Sequence, residues 1–325
     1  MRNAFAQQIE LLAERDDRVV LLSGDIGNRM FDRFKERFAG RFYNCGVAEA
    51  NMIGMAAGLA MCGLRPVAYT IAPFITYRCL EQIRIDLCYH RLPVIIAGVG
   101  AGLGYASLGA THHACEDIAV LRALPEMTVL CPADAYETRA ALAAALTLDG
   151  PAYLRLGKKG EPAVHAQPIE DFAIGRAITL RHGFDVCLLG CGVVMPMVLE
   201  AAEHLAARRL RPRVVSCHTV KPLDAAMLAE LVDAFDLIVT VEEHSVVGGF
   251  GAAVAEWLAD RGPCRAHLLR IGAPDAFVHE AGPQSHARQH VGLTVAAIAE
   301  RVAAWWNRQT RENQGNRGRK ERIVA

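Results

Sequence analysis

One carboxylate stands at the mouth of a long apolar run. The segment Asn44-Cys45-Gly46-Val47-Ala48-Glu49-Ala50-Asn51-Met52-Ile53-Gly54-Met55-Ala56-Ala57-Gly58-Leu59-Ala60 carries Glu49 and no other charge from Ala48 to Met61. Gly54 and Gly58 leave one face of the helix it encodes bare for close packing. Burial there would favour the protonated form of Glu49, so this side chain can hold or share a proton near neutral pH. The same carboxylate in a wet first helical turn would do no more than meet the helix dipole.

Two other segments carry candidate chemistry. Ala72-Pro73-Phe74-Ile75-Thr76-Tyr77-Arg78 puts aromatic rings at a strand-to-helix turn, where a ring either stacks on a flat heterocycle or faces the core. Thr111-His112-His113-Ala114-Cys115-Glu116-Asp117 opens a helix just past the glycine-rich run Gly98-Val99-Gly100-Ala101-Gly102-Leu103-Gly104. Adjacent histidines point in different directions and make a poor chelating pair. One of them as a polar lining group fits better, because loops at the carboxyl edge of a parallel sheet are where ligands bind. The dinucleotide spacing G-x-G-x-x-G fails in both glycine-rich places. It meets Leu103 or Tyr105 in the first and Met195 after Gly190-Cys191-Gly192 in the second. There is no G-x-S-x-G elbow and no P-loop, which removes the serine-hydrolase and P-loop templates.

Positioning such groups calls for a layered α/β scaffold, and the pattern supplies one. Short β-branched runs at 19–22, 66–70, 94–99, 128–131, 153–156, 186–189, 214–216, 237–241 and 267–271 read as strands. Amphipathic helices fall between many of them, at 135–146, 197–207, 225–234 and 252–261. The expected fold is α/β, two domains with mainly parallel sheets flanked by helices. The polar stretch 157–172 breaks the rhythm, giving a first domain over 1–165, a linker over 166–178 and a second domain over 179–306. Residues 307–325 form a basic tail without apolar period, expected to be disordered.

With 35 acidic and 35 basic residues, the charge gives no case for nucleic acid or a membrane surface. No apolar run reaches the roughly 18 residues that cross a bilayer. The ten cysteines form no C-x-x-C pair and several lie in apolar elements, which points to reduced thiols in a cytoplasmic enzyme.

These segments, in this order, resemble the transketolase-like thiamine diphosphate enzymes over nearly all of residues 1–305. The chain is similar to the C-terminal half of a transketolase or deoxyxylulose-phosphate synthase: a pyrimidine-binding domain followed by the transketolase C-terminal domain. Ser23-Gly24-Asp25-Ile26-Gly27-Asn28 resembles the loop after the first strand, where the family carries an aspartate near the cofactor. Gly46-Val47-Ala48-Glu49-Ala50-Asn51-Met52 resembles the segment bearing the cofactor glutamate. Phe74 falls where the family places a ring on the aminopyrimidine, and Gly109-Ala110-Thr111-His112 resembles its Gly-Pro-Thr-His. In the second half, Val220-Lys221-Pro222-Leu223-Asp224 and Val241-Glu242-Glu243-His244 with Gly248-Gly249 resemble its strand ends, which mark the fold and a subunit contact.

The resemblance implies that Glu49 hydrogen-bonds the pyrimidine of thiamine diphosphate, that Phe74 stacks on it and that Asp25 lines its pocket. His112 would face substrate, with Lys158 and nearby Arg155 as cations for a phosphorylated end. The family's Gly-Asp-Gly motif for diphosphate and Mg²⁺ is absent, so a separate N-terminal, transketolase-type subunit is expected to supply those ligands in an α₂β₂ assembly. The implied activity is transfer of a two-carbon ketol unit from a ketose-type donor to an aldehyde acceptor. Gly100 and Leu108 stand where transketolases carry a further histidine and an aspartate, which argues against a standard long sugar-phosphate donor contact. Alternative readings are a beta subunit of a 2-oxo-acid dehydrogenase and a non-catalytic scaffold subunit. The Thr111–Asp117 segment favours the transketolase pattern over the first, and retention of Glu49 weighs against the second.

Overall fold

The computed structural model describes residues 1–27 and 29–308. Its strands are β1 (Val19–Ser23), β2 (Phe42–Asn44), β3 (Arg65–Ile71), β4 (Ile95–Val99), β5 (Thr128–Leu130), β6 (Ala152–Leu156), β7 (Ile178–Arg181), β8 (Val186–Cys191), β9 (Pro212–Ser216), β10 (Thr219–Lys221), β11 (Leu237–Ser245) and β12 (His267–Ala273). They build two sheets, ordered β10-β5-β6-β4-β3-β1-β2 and β12-β11-β8-β9-β7. All neighbours pair in parallel except β10 with β5 and β7 with β9. The architecture is two α/β domains. β1, β4, β6 and β8 are buried along their whole length, as strands covered by helices on both faces must be.

Each of the nine strands expected from apolar runs is present. The three missed ones, β2, β7 and β10, are edge strands of three or four residues. An edge strand with one covered side needs no apolar run and leaves none to read. β10 also falls in the stretch expected as the second domain, yet it closes the edge of the first sheet against β5. At the other end, residues 295–308 are helical, so Asn307 and Arg308 belong to a helix and not to the expected disordered tail. Residues 309–325 of that tail lie outside the described residues.

The helix Glu49–Met61 lays Met52, Ile53, Ala56, Ala57 and Ala60 on the sheet, at the spacing of one helical face. Its other face is open. Gly54 and Gly58 are exposed, and a Cβ at either would meet nothing within 4 Å.

A buried ion pair sits where the two domains meet. Arg155 of β6 is 1% exposed and donates through Nε to both oxygens of Asp117, at 2.8 and 3.1 Å. Its Nη2 donates to the carbonyls of Ala114 and Glu243, joining the first domain to β11 of the second. Tyr153 adds a 2.7 Å hydrogen bond to Asp117. Arg155→Met would leave Asp117 buried without its cation, so a loss of about 3–5 kcal/mol is expected. A lowered urea midpoint at constant slope is the reading that checks it.

Beside this pair, Glu242 accepts from the backbone N–H groups of Phe250 and Gly251 at 2.6 and 2.8 Å, fixing the start of the helix Phe250–Arg261. His244 bonds Ser245 O through Nδ1 and accepts from Ala119 N through Nε2, the pattern of a neutral ring. Burial pushes Glu242 from 4.5 up to about 7, and burial pulls His244 from 6.5 down to about 4. A raised acid contributes stability at low pH that is lost as pH rises from 4.5 through 7. A depressed histidine contributes stability above 6.5 that is lost as pH falls through 4. The two slopes oppose each other between roughly pH 4.5 and 6.5. His244→Asn is therefore expected to unmask a stability that falls with rising pH across that window, measured as urea midpoints at half-unit steps.

Candidate functional site

Glu49 is the first residue of its helix, with a side chain only 2% exposed. The carboxylate is not alone, as the sequence suggested. Arg78 donates to it from Nη1 at 2.5 Å. The same guanidinium lies over the Phe74 ring, 4.9 Å from its centroid. Phe74 and Arg78 are four residues apart just past β3, a spacing that puts both on one side of a helical turn. A buried acceptor and an aromatic face thus converge on one small space, and a flat cation fills it.

The cluster continues through rings. His112 meets Phe74 edge-on at 5.0 Å and Tyr105 at 6.2 Å between centroids. Its Nδ1 is 2.9 Å from Thr111 Oγ1. Burial, and then the charge of Lys158, hold His112 below the ordinary histidine value. Lys158 Nζ lies over the Tyr105 ring at 4.5 Å. Tyr105 packs where a side chain at position 100 would stand: a Cβ on Gly100 would fall 2.0 Å from the ring, and Gly100 has φ +83°. The loop holding His112 is pinned by the Gly102–Ala114 bridge, with Ala114 N donating to Gly102 O at 2.8 Å.

Glu49, Phe74, His112 and Lys158 therefore join in one chain of contacts, with Arg78 and Tyr105 as links that sequence reasoning did not single out. The four-residue spacing from Phe74 was a signal for Arg78. Tyr105 had none beyond the bare Gly100. Asp25 stands apart and exposed at the end of β1, in the left-handed region at φ +59°. It accepts from Asn44, whose own side-chain oxygen takes Gly46 N, so Asp25 supports the turn that leads into Glu49. Arg155 is a correction. The substrate-side cation expected there is enclosed against Asp117, because a guanidinium with that many internal acceptors is held in the interior. His113 is buried beside its neighbour, while Ala110–His112 form a short turn and the helix itself starts only at Asp117. Pro73 and Thr111, next to Phe74 and His112, help line a cleft of about 510 Å³ between the domains, with Ser245 and Phe277 on its far side.

The donor set suits a planar heterocycle with a ring nitrogen: an acceptor in a dry place, a stacking ring, and room of the size a guanidinium takes. Among the described residues no three His, Cys, Asp or Glu side chains gather as a metal site.

Residues 1–162 match the transketolase pyrimidine-binding domain family, and residues 175–298 match the transketolase C-terminal domain family. The chain is 36% identical over 300 residues to the 6-deoxy-6-sulfo-D-fructose transketolase subunit SqwH of Clostridium sp. (strain MSTE9), covering 92% of each protein. It is 33% identical to an apulose-4-phosphate transketolase subunit of Phocaeicola vulgatus, covering 92% of this chain and 95% of the relative. A solved structure described as a split gene transketolase, inactive beta4 tetramer, superposes with a TM-score of 0.84 at 36% identity, covering 93% of this chain and 96% of that one. With both domain families matched and the relatives aligned almost end to end, the chain belongs to the transketolase family, in the beta-type form of a split enzyme.

Proposed function

We propose that this subunit holds the pyrimidine end of thiamine diphosphate and, with an N-terminal subunit that binds the diphosphate and Mg²⁺, transfers a two-carbon ketol unit from a ketose-type donor to an aldehyde acceptor. The observation that carries this reading is the buried Glu49 carboxylate beside the face of Phe74, with His112 against the same ring. When bound, the cofactor supplies the carbon nucleophile and the electron sink for breaking a bond beside a carbonyl. Glu49 would hold a proton at the pyrimidine nitrogen. Phe74 fixes the plane of the ring. His112, which burial and then the charge of Lys158 hold below the ordinary histidine value, hydrogen-bonds the substrate oxygens next to the reacting carbon.

Lys158 suits an anionic substrate end. It lies with Lys159, Glu161, Glu200 and Arg288 around a cavity of about 240 Å³, and Arg288 is already paired with Glu243. The sulfo group in the name of one relative's substrate and the phosphate in the other's are ends of that kind.

An α₂β₂ assembly fits the surface. The open face at Gly54 and Gly58 continues along the chain to Val47 and Met61, which are 74 and 59% exposed. An apolar patch of this sort marks a contact with another chain. The relative described as an inactive beta4 tetramer agrees with a site that beta subunits alone leave incomplete. A cytoplasmic location suits the ten free cysteines, seven of them buried.

Glu49→Gln is expected to fold normally, since Arg78 is half exposed and tolerates losing its partner, and to lose turnover about 10²-fold or more in the assembled enzyme. Near-normal rates would overturn the assignment. Lys158→Ala is expected to raise KM for an anionic substrate roughly tenfold with little change in kcat. Steady-state kinetics on substrates with and without the anionic end provide the comparison.

A further inference from the structure

Arg78 occupies the space that the function proposed above reserves for the pyrimidine. Its guanidinium covers the Phe74 face at 4.9 Å and donates to the Glu49 carboxylate at 2.5 Å. These are the two surfaces a flat heterocycle needs for stacking and for its ring-nitrogen hydrogen bond. A guanidinium is itself planar and cationic, so it satisfies both without any cofactor. It also resolves the cost of leaving a carboxylate that is 2% exposed with no partner.

We propose that Arg78 is a stand-in for the cofactor in the free subunit, holding Glu49 and Phe74 in place and moving aside when thiamine diphosphate enters. Two features of the side chain allow this. Arg78 is 49% exposed, so its swing into solvent unpacks no core. Glu49 accepts its hydrogen bond and the Phe74 ring lies under its guanidinium. The aromatic face and the acceptor keep their geometry in both states, because Phe74 is held by His112 and Glu49 by the helix it starts. The cofactor therefore meets a preformed site and competes with one internal cation for it.

That competition has a sign. A site closed most of the time binds its ligand more weakly by the fraction that is open. Removal of the stand-in should tighten binding, whereas removal of a cofactor contact should weaken it. The inference rests on the proposed function, and the test separates the two. Thiamine diphosphate with Mg²⁺ is titrated calorimetrically into the complex of this subunit with its diphosphate-binding partner, as wild type and as Arg78→Ala. Roughly fivefold tighter binding in Arg78→Ala is expected. Weaker or unchanged binding would overturn the proposal while leaving the function standing. A wild-type complex that binds no thiamine diphosphate overturns both. Because Arg78→Ala uncovers a buried carboxylate, the thermal midpoints of the free subunit are compared for Glu49→Gln, Arg78→Ala and the double variant. A stand-in gives non-additive losses there. Strictly additive losses would show that the contact carries no weight in the free subunit and would equally overturn it.

Discussion

The buried pair of Arg155 and Asp117 is the constraint on which the rest of the molecule turns. A guanidinium and a carboxylate taken out of water need partners, and here the acceptors for Nε and Nη2 come from both domains while Nη1 is buried without one. One of them is the carbonyl of Ala114, in the loop that presents His112. Another is the carbonyl of Glu243, whose carboxylate receives Leu103 N, Gln284 and Arg288. The glycine-rich loop, the histidine loop and the end of β11 are thus registered to one another by a single planar cation. Gly102 has no room for a side chain because Glu243 lies 2.5 Å from where its Cβ would be.

On that frame the site is built from one carboxylate, one ring and one imidazole, each set by a different element. The helix Glu49–Met61 buries the carboxylate because its small residues let it sit close on the sheet. The turn after β3 supplies Phe74, and the loop pinned by the Gly102–Ala114 bridge supplies His112. The opposite face of the glutamate helix stays uncovered. A site organised this way is rigid on its own side and unfinished on the other.

Much of this was legible in residue order, and the limits have physical reasons. The apolar runs announced every long strand, and Glu49, Phe74 and His112 stood out by type and context. Charge pairing across the fold did not, because nothing in the order of residues says that Arg155 points inward to Asp117 while Lys158, three positions on, stays near the surface. Arg78 was visible as a residue but not as the partner of Glu49, from which it is separated by a whole strand and turn. Tyr105 fills a void that exists only because Gly100 has no side chain, a relation between shapes that a spacing rule cannot carry.

The short strand β10 gives the domain arrangement a different meaning. It lies after β9 in the chain, yet it pairs with β5, and Lys221 at its end donates to the carbonyl of Arg122. The first sheet borrows its last strand from the second half of the polypeptide. Cutting the polar connection between β6 and β7 would therefore not release two finished domains. It would strip one sheet of its border and bare the N–H and C=O groups of β5 to any strand that passed. The two halves are sewn into one folding unit, and β10 is what keeps that edge shut.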